Sequence, residues 1–130
     1  MKKIFYLLMM SLAVLSCSDL PIDEDNLLIT SHSDCYVGSF ELVGLDHRSV
    51  LNTVTVDTVA QEIRGEVFYG TDLTRVWPQF SLAVDCKLSP KITDWEDFSD
   101  LDHPKQYTVI SGNRQVSKVY TIYLTIQKRN

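Results

Sequence analysis

Hydrophobic and polar residues alternate along most of the chain after residue 34, which is the spacing of β-strands rather than of helices. In the clearest run, residues 79–88, apolar side chains recur at every second position. The alternating runs are rich in β-branched and aromatic residues, which favour strands. No segment keeps the period of an amphipathic helix over about ten residues. The pattern predicts strands within residues 36–43, 52–57, 62–69, 79–88, 106–111 and 117–127.

Turn signals separate these strands at intervals of about 8–12 residues, a spacing typical of β-sandwiches. The chain has 130 residues, which suits a single domain with one hydrophobic core. Residues 117–127 are apolar enough on both faces to form a central strand. The sequence therefore predicts an all-β sandwich, and a small barrel is the alternative that the same spacing allows.

The first sixteen residues follow a different pattern. Lys2 and Lys3 precede an apolar run over residues 4–15, which is shorter than the ~20 residues that a membrane-spanning helix needs. Its length suits the hydrophobic region of a secretory signal. Residues 14–17, Val-Leu-Ser-Cys, resemble the lipobox of bacterial lipoproteins. The resemblance implies a signal peptide over residues 1–16 and lipidation of Cys17, whereas an ordinary cleaved signal peptide is the alternative.

Lipid on Cys17 would make the membrane the partner of the N-terminus, because each buried methylene contributes ~0.8 kcal/mol and two or three chains hold a protein permanently. The acidic residues after Cys17 show no period, so residues 17–34 are predicted to be a flexible tether. They also resemble the acidic stretches that direct Bacteroidetes-type lipoproteins to the outer face of the outer membrane, and a plain spacer is the alternative. The expected location is the outer membrane, facing the cell exterior.

Three stretches of the remaining chain resemble one family. They read "VDTVAQEIRGEVFYGTDLTRVWPQFSL" (56–82), "DCKLSP" (85–90) and "DWEDFSD...QYTVIS...KVYTIYL" (94–124). They are similar to an immunoglobulin-like domain of unknown function that is found near the N-terminus of Bacteroidetes-type surface lipoproteins, often encoded beside glycan-uptake systems. The resemblance implies an immunoglobulin-like β-sandwich of about seven strands over residues 35–130. It also implies a domain that commonly precedes a larger C-terminal one, which this chain is expected to lack.

Composition and motifs narrow the range of functions. The formal net charge is -5, and Lys and Arg form no cluster, so the chain is expected to repel nucleic acid. The sequence carries no phosphate-binding loop, zinc-ligand spacing or nucleophile motif. The acidic loop at residues 94–102 lacks glycine and the calcium-loop signature, so no metal or cofactor is expected. We therefore predict a protein that is not an enzyme.

Two tryptophans are the candidate ligand-binding residues. An exposed indole face can stack on a sugar ring, and nearby carboxylates can accept hydrogen bonds from the sugar hydroxyls. Trp95 has carboxylates on both sides of it in the sequence. The alternative is that both indoles plug the ends of the sandwich core. The predicted site consists of Trp95, Asp94, Glu96, Asp97 and Trp77.

Cys35 and Cys86 remain as a pair once Cys17 carries lipid, and an oxidising compartment would allow a disulfide between them. A buried free thiol at Cys86 is an equally good interpretation, because Cys86 shares the inward face of residues 79–88.

Taken together, these features predict a non-enzymatic cell-surface lipoprotein that binds or presents a ligand, with a glycan or a glycan-uptake protein as the expected partner. The alternative is a structural or adhesive module of the envelope that acts by protein–protein contact, for example through an edge strand.

Overall fold

The computed structural model describes residues 21–129, so the predicted signal peptide and the lipidation site at Cys17 lie outside the described residues. The predicted all-β fold is confirmed: residues 21–129 form seven strands in two sheets. No helix that could cross a membrane occurs within this range. The strands are β1 (Val37–Val43), β2 (Leu51–Asp57), β3 (Glu62–Val67), β4 (Trp77–Leu82), β5 (Lys87–Ser89), β6 (Lys105–Ile110) and β7 (Ser117–Ile126).

The two sheets differ in size. β1 and β4 form a two-stranded sheet, and the other strands form a five-stranded sheet in the order β2-β3-β7-β6-β5. β3 and β7 run parallel, with Ile63 opposite Ile122, and all other neighbours are antiparallel. β7 lies at the centre of the larger sheet, as predicted from its two apolar faces.

The prediction of one continuous strand over residues 79–88 is wrong. The chain leaves the small sheet after Leu82 and enters the large sheet at Lys87. It turns through Asp85, whose φ is 60°, and Val84 at the turn is 50% exposed. The alternation of apolar and polar residues resumes after the turn, because β4 and β5 direct apolar side chains into the same core from opposite sheets.

The hydrophobic core lies between the sheets and is centred on Tyr120 of β7, whose side chain is 0% exposed. The Tyr120 hydroxyl accepts a hydrogen bond from the backbone N–H of Val37 at 3.3 Å, and this bond joins β7 to β1. The Phe80 ring lies 5.0 Å from that of Phe40 and 5.1 Å from that of Tyr107. Other fully buried side chains come from both sheets and one loop: Leu42, Ile63, Val67, Val76, Pro78, Val109 and Ile122.

The predicted flexible tether, residues 17–34, contacts the domain in its described part. The Asp23 side chain is 3% exposed, and its Oδ2 lies 2.7 Å from Lys87 Nζ and 2.8 Å from Arg114 Nε. Its Oδ1 accepts hydrogen bonds from two backbone amides of the following turn. The Thr30 N–H also donates to a backbone carbonyl of the loop between β6 and β7. The segment around Asp23 is therefore fixed to the domain through paired charges.

The Tyr120 hydroxyl offers a test of how the sheets are joined. We expect Tyr120→Phe to lower the free energy of unfolding by about 1–3 kcal/mol, because the buried amide of Val37 loses its acceptor. Urea denaturation measures the change. Tyr123→Phe is the matched control, since Tyr123 lies on the same strand and is only half-buried, so water can reach it. Equal stability losses in the two variants would contradict the assignment.

Asp23 offers a second test through pH. Hydrogen bonds from Lys87, the peptide amides and Arg114 hold the pKa of Asp23 well below its usual range. A carboxylate with a lowered folded-state pKa stabilises the fold above its unfolded-state pKa of about 3.9 and loses this contribution as the pH falls through its folded-state pKa.

We expect Asp23→Asn to reduce stability most near pH 7 and progressively less from about pH 5 downward. Chemical denaturation of the variant and the wild type across this range measures the difference. Asp102→Asn, at an exposed side chain, is the control for removing a charge. A wild-type advantage over Asp23→Asn that stays constant down to about pH 2 would rule out this role.

Candidate functional site

A groove of about 610 Å³ runs between the two sheets. Its walls are β4 of the small sheet and β5, an edge strand of the large sheet. Two strands cannot cover the face of five, so these two edges are left facing each other in the described part of the chain. The apolar lining consists of Leu27, Trp77, Pro78, Phe80, Leu82, Leu88, Ile92 and Ile110.

The free edge of β4 lacks one of the backbone N–H donors that a strand normally presents along its edge. The carbonyl of Leu42 in β1 accepts the N–H of Val50 at 2.9 Å, so the backbone groups of Leu42 point away from β4. Leu42 is opposite Pro78, which makes this a pair without mutual hydrogen bonds and turns the backbone of Pro78 towards the groove. Proline has no N–H. Pro78 is also fully buried, so the edge offers the amide and the carbonyl of Phe80.

Charged groups of the N-terminal segment form one rim of the groove. Lys87 Nζ lies 2.7 Å from Asp23, 2.8 Å from Asp25 and 3.4 Å from Glu24. These contacts match the three donors of an ammonium group, and they raise the pKa of Lys87. Glu24 and Asp25 line the groove, and both side chains are exposed enough to accept further hydrogen bonds. The remaining polar lining is Gln79, Ser89 and Lys91.

The structure brings the two predicted tryptophans together. The rings of Trp77 and Trp95 lie 5.6 Å apart at 87°, an edge-to-face contact. Trp77 lines the groove, whereas Trp95 is not part of the lining and its ring lies 6.4 Å from that of His47. Val76 and Glu96 exchange backbone hydrogen bonds of 3.0 and 2.8 Å, which hold the two tryptophan-bearing segments side by side. Trp95 therefore restrains the side chain of Trp77.

The three predicted acidic residues make contacts outside the groove. Asp94 accepts the next backbone amide at 2.7 Å. Asp97 accepts the hydroxyl and the amide of Ser99, which lowers the pKa of Asp97. Glu96 lies 3.6 Å from Lys105. These contacts shape the loop between β5 and β6, and no group of three or more His, Cys, Asp and Glu side chains in residues 21–129 is arranged to hold a metal ion.

The two predicted cysteines lie near one end of the groove. Cys35 is buried just before β1, and Cys86 is half-buried just before β5, where it forms part of the groove lining. Both are free thiols, and burial raises the pKa of each.

Several groove residues escaped the sequence analysis because they are distant in sequence and come from the N-terminal segment, from both sheets and from the loop after β5. The missed residues are Glu24, Asp25, Phe80, Lys87, Leu88 and Lys91. One signal was present: Pro78 lies within a strand and between two aromatic positions, and proline within a strand is typical of a sheet edge.

Most of the chain matches one known protein family. Residues 46–124, more than half of the sequence, match the family described as SGBP, N-terminal, in which SGBP denotes a surface glycan-binding protein. The chain belongs to this family. The SGBP N-terminal family occurs in Bacteroides-like surface and secreted proteins and is typically a non-catalytic binding family. The expected resemblance to a Bacteroidetes-type surface family is confirmed at this level.

Solved structures share the fold. A proposed glycoside hydrolase from Bacteroides thetaiotaomicron is 24% identical with a TM-score of 0.60, and the match covers 75% of this chain and 26% of that one. A proposed secreted protein from Bacteroides fragilis is 11% identical with a TM-score of 0.54, covering 74% and 98%. A DUF4623 family protein from Bacteroides eggerthii is 13% identical with a TM-score of 0.55, covering 74% and 22%.

The chain thus spans about a quarter of the structures from B. thetaiotaomicron and B. eggerthii and nearly the whole of the one from B. fragilis. At these identities the likeness shows a common fold and carries no information about activity. No curated protein matches the sequence.

The edge-to-face contact of the tryptophans predicts a spectroscopic signature. Two indoles held 5.6 Å apart at a fixed angle should give an exciton couplet in circular dichroism. We expect Trp77→Phe and Trp95→Phe each to abolish the couplet, because either change removes one partner. A couplet that survives in either variant would show that the rings are not paired as described.

Proposed function

We propose that this domain is a non-enzymatic surface module that binds a glycan in the groove between β4 and β5. The observation that carries the proposal is a groove whose lining includes both the half-buried Trp77, restrained by Trp95, and the exposed carboxylates of Glu24 and Asp25. Membership of the SGBP N-terminal family supports a glycan as the class of ligand.

The composition of the groove suits a sugar. The C–H face of a sugar ring packs on an aromatic face, and its hydroxyl groups both donate and accept hydrogen bonds. Glu24 and Asp25 can accept from hydroxyls, while Gln79 and the Phe80 amide can donate to them. The groove is open, so it can hold part of a longer glycan chain while the ends remain outside.

The same groove lacks a pair of opposed carboxylates, within the described residues, of the kind used for glycoside hydrolysis. Such enzymes place two carboxyl groups on either side of the scissile bond. Glu24 and Asp25 are adjacent in one turn and both contact Lys87, so they would lie on the same side of a bound sugar. This supports binding without cleavage.

The proposed location is the outer membrane, with lipid on Cys17 and the domain facing the cell exterior. The family's occurrence in surface and secreted proteins supports the surface location. Lipidation of Cys17 is supported by the Val-Leu-Ser-Cys sequence at residues 14–17.

Protein–protein contact through an edge strand, the alternative function, is less well supported. Strand addition to β4 would require a ladder of donors and acceptors along its free edge. Pro78 removes a donor from that edge. A glycan needs no regular ladder, so the missing donor does not disfavour it.

A glycan array with a soluble form that starts at Ser18, followed by calorimetry on the glycans that bind, tests the proposal. We expect Trp77→Ala to weaken binding at least about tenfold, which corresponds to ~1.4 kcal/mol of lost stacking. Tyr69→Ala is the matched control, because Tyr69 is an exposed aromatic residue away from this groove.

Two outcomes would reject the proposal. One is that Tyr69→Ala weakens binding while Trp77→Ala does not, which would place the ligand elsewhere. The other is that no glycan binds and a protein partner is recovered instead, which would favour the adhesive alternative.

A further inference from the structure

We propose that Cys35 and Cys86 form a disulfide bond in the oxidising compartment outside the cytoplasm. The inference rests on the surface location in the proposed function and is independent of the ligand.

Backbone contacts on both sides of Cys35 hold Cys86 next to it. The Cys86 thiol donates to the carbonyl oxygen of Asp34 at 3.0 Å, and that carbonyl belongs to the peptide group that leads into Cys35. On the other side, the carbonyl of Tyr36 accepts the N–H of Ala83 at 3.0 Å. The turn that carries Cys86 is therefore fixed against the residues that flank Cys35.

Both thiols point to backbone carbonyl groups in the same region. The Cys35 thiol donates to the carbonyl of Val109 at 3.2 Å, and burial raises the pKa of both thiols. A disulfide needs Cα atoms about 4.4–6.8 Å apart and Cβ vectors that converge. The Cys86 sulfur lies 3.0 Å from the carbonyl oxygen of the Asp34–Cys35 peptide group. Rotation of the Cys35 side chain away from the Val109 carbonyl would therefore bring the two sulfur atoms together without a large movement of the backbone.

The reaction balances with a disulfide-bearing thiol oxidant of the cell envelope as the co-reactant. The Cys86 thiol, which is the more accessible, loses a proton and attacks the oxidant's disulfide, releasing one oxidant thiol. The Cys35 thiolate then attacks the Cys86 sulfur, which forms the new S–S bond and releases the second oxidant thiol. Two protein thiols are oxidised and one disulfide of the oxidant is reduced.

Burial of the two thiols determines when the disulfide can form. The raised pKa values of both thiols leave little thiolate in the folded protein, so exchange with an oxidant is slow once folding is complete. The bond is therefore expected to form during folding. It would link the start of β1 to the turn between β4 and β5, which is one end of the groove.

The full chain carrying Cys17→Ser, in which these are the only two cysteines, tests the proposal. The protein is refolded in a glutathione mixture poised to keep the disulfides of secreted proteins oxidised. Free thiols are then blocked with N-ethylmaleimide in denaturant, and the peptides are identified by mass spectrometry. We expect the Cys35 and Cys86 peptides to be joined and to take up maleimide only after reduction. Maleimide on both cysteines before reduction would overturn the proposal.

Stability provides an independent readout. The bond closes a loop of about 50 residues, so a reductant should raise the unfolding equilibrium constant about 10²–10³-fold. The double variant Cys35→Ala/Cys86→Ala should show no response to the reductant, and an equal response in that variant would overturn the proposal. Neither readout depends on a glycan, so the disulfide and the binding site can fail separately.

Discussion

The mismatch between a two-stranded and a five-stranded sheet is the constraint on which the rest of this structure depends. The inner face of the large sheet is apolar and has to be covered. β1 and β4 cover its centre, where Tyr120 bonds to Val37 across the two sheets. Loop residues extend the cover, with Leu73 and Phe98 joined by a backbone hydrogen bond of 2.7 Å. The space left between β4 and β5 is the groove.

The groove is suited to holding a ligand rather than to reacting with one. Its aromatic wall is fixed by the contact between Trp77 and Trp95, so little ordering is required when a ligand binds. Its acidic rim is fixed by Lys87, which the carboxylates of the N-terminal segment surround. That segment therefore forms one rim of the site as well as the connection towards residue 17. The conformation of the N-terminal segment therefore affects the shape of the surface that the domain presents.

The sequence was sufficient for the features that depend on local alternation. Strand content and the central position of residues 117–127 follow from apolar spacing alone. Features that depend on distant contacts could not be read in this way. The break within residues 79–88 cannot be seen in the sequence, because the even-numbered residues of both β4 and β5 point towards the core. The docking of Asp23 depends on Arg114 and on Lys87, more than sixty positions away. The predicted site centred on Trp95, whereas Trp77 is the tryptophan that lines the groove.

Two-dimensional NMR of the isotope-labelled protein, titrated with a glycan that binds, tests the central claim most directly because it locates the contact without any substitution. The account predicts that the largest shifts fall on the Trp77 indole N–H and on the amides of Phe80, Ser89 and Lys91, on both walls of the groove. Shifts confined to the surface around Tyr69, or a saturating glycan that moves none of these signals, would contradict it.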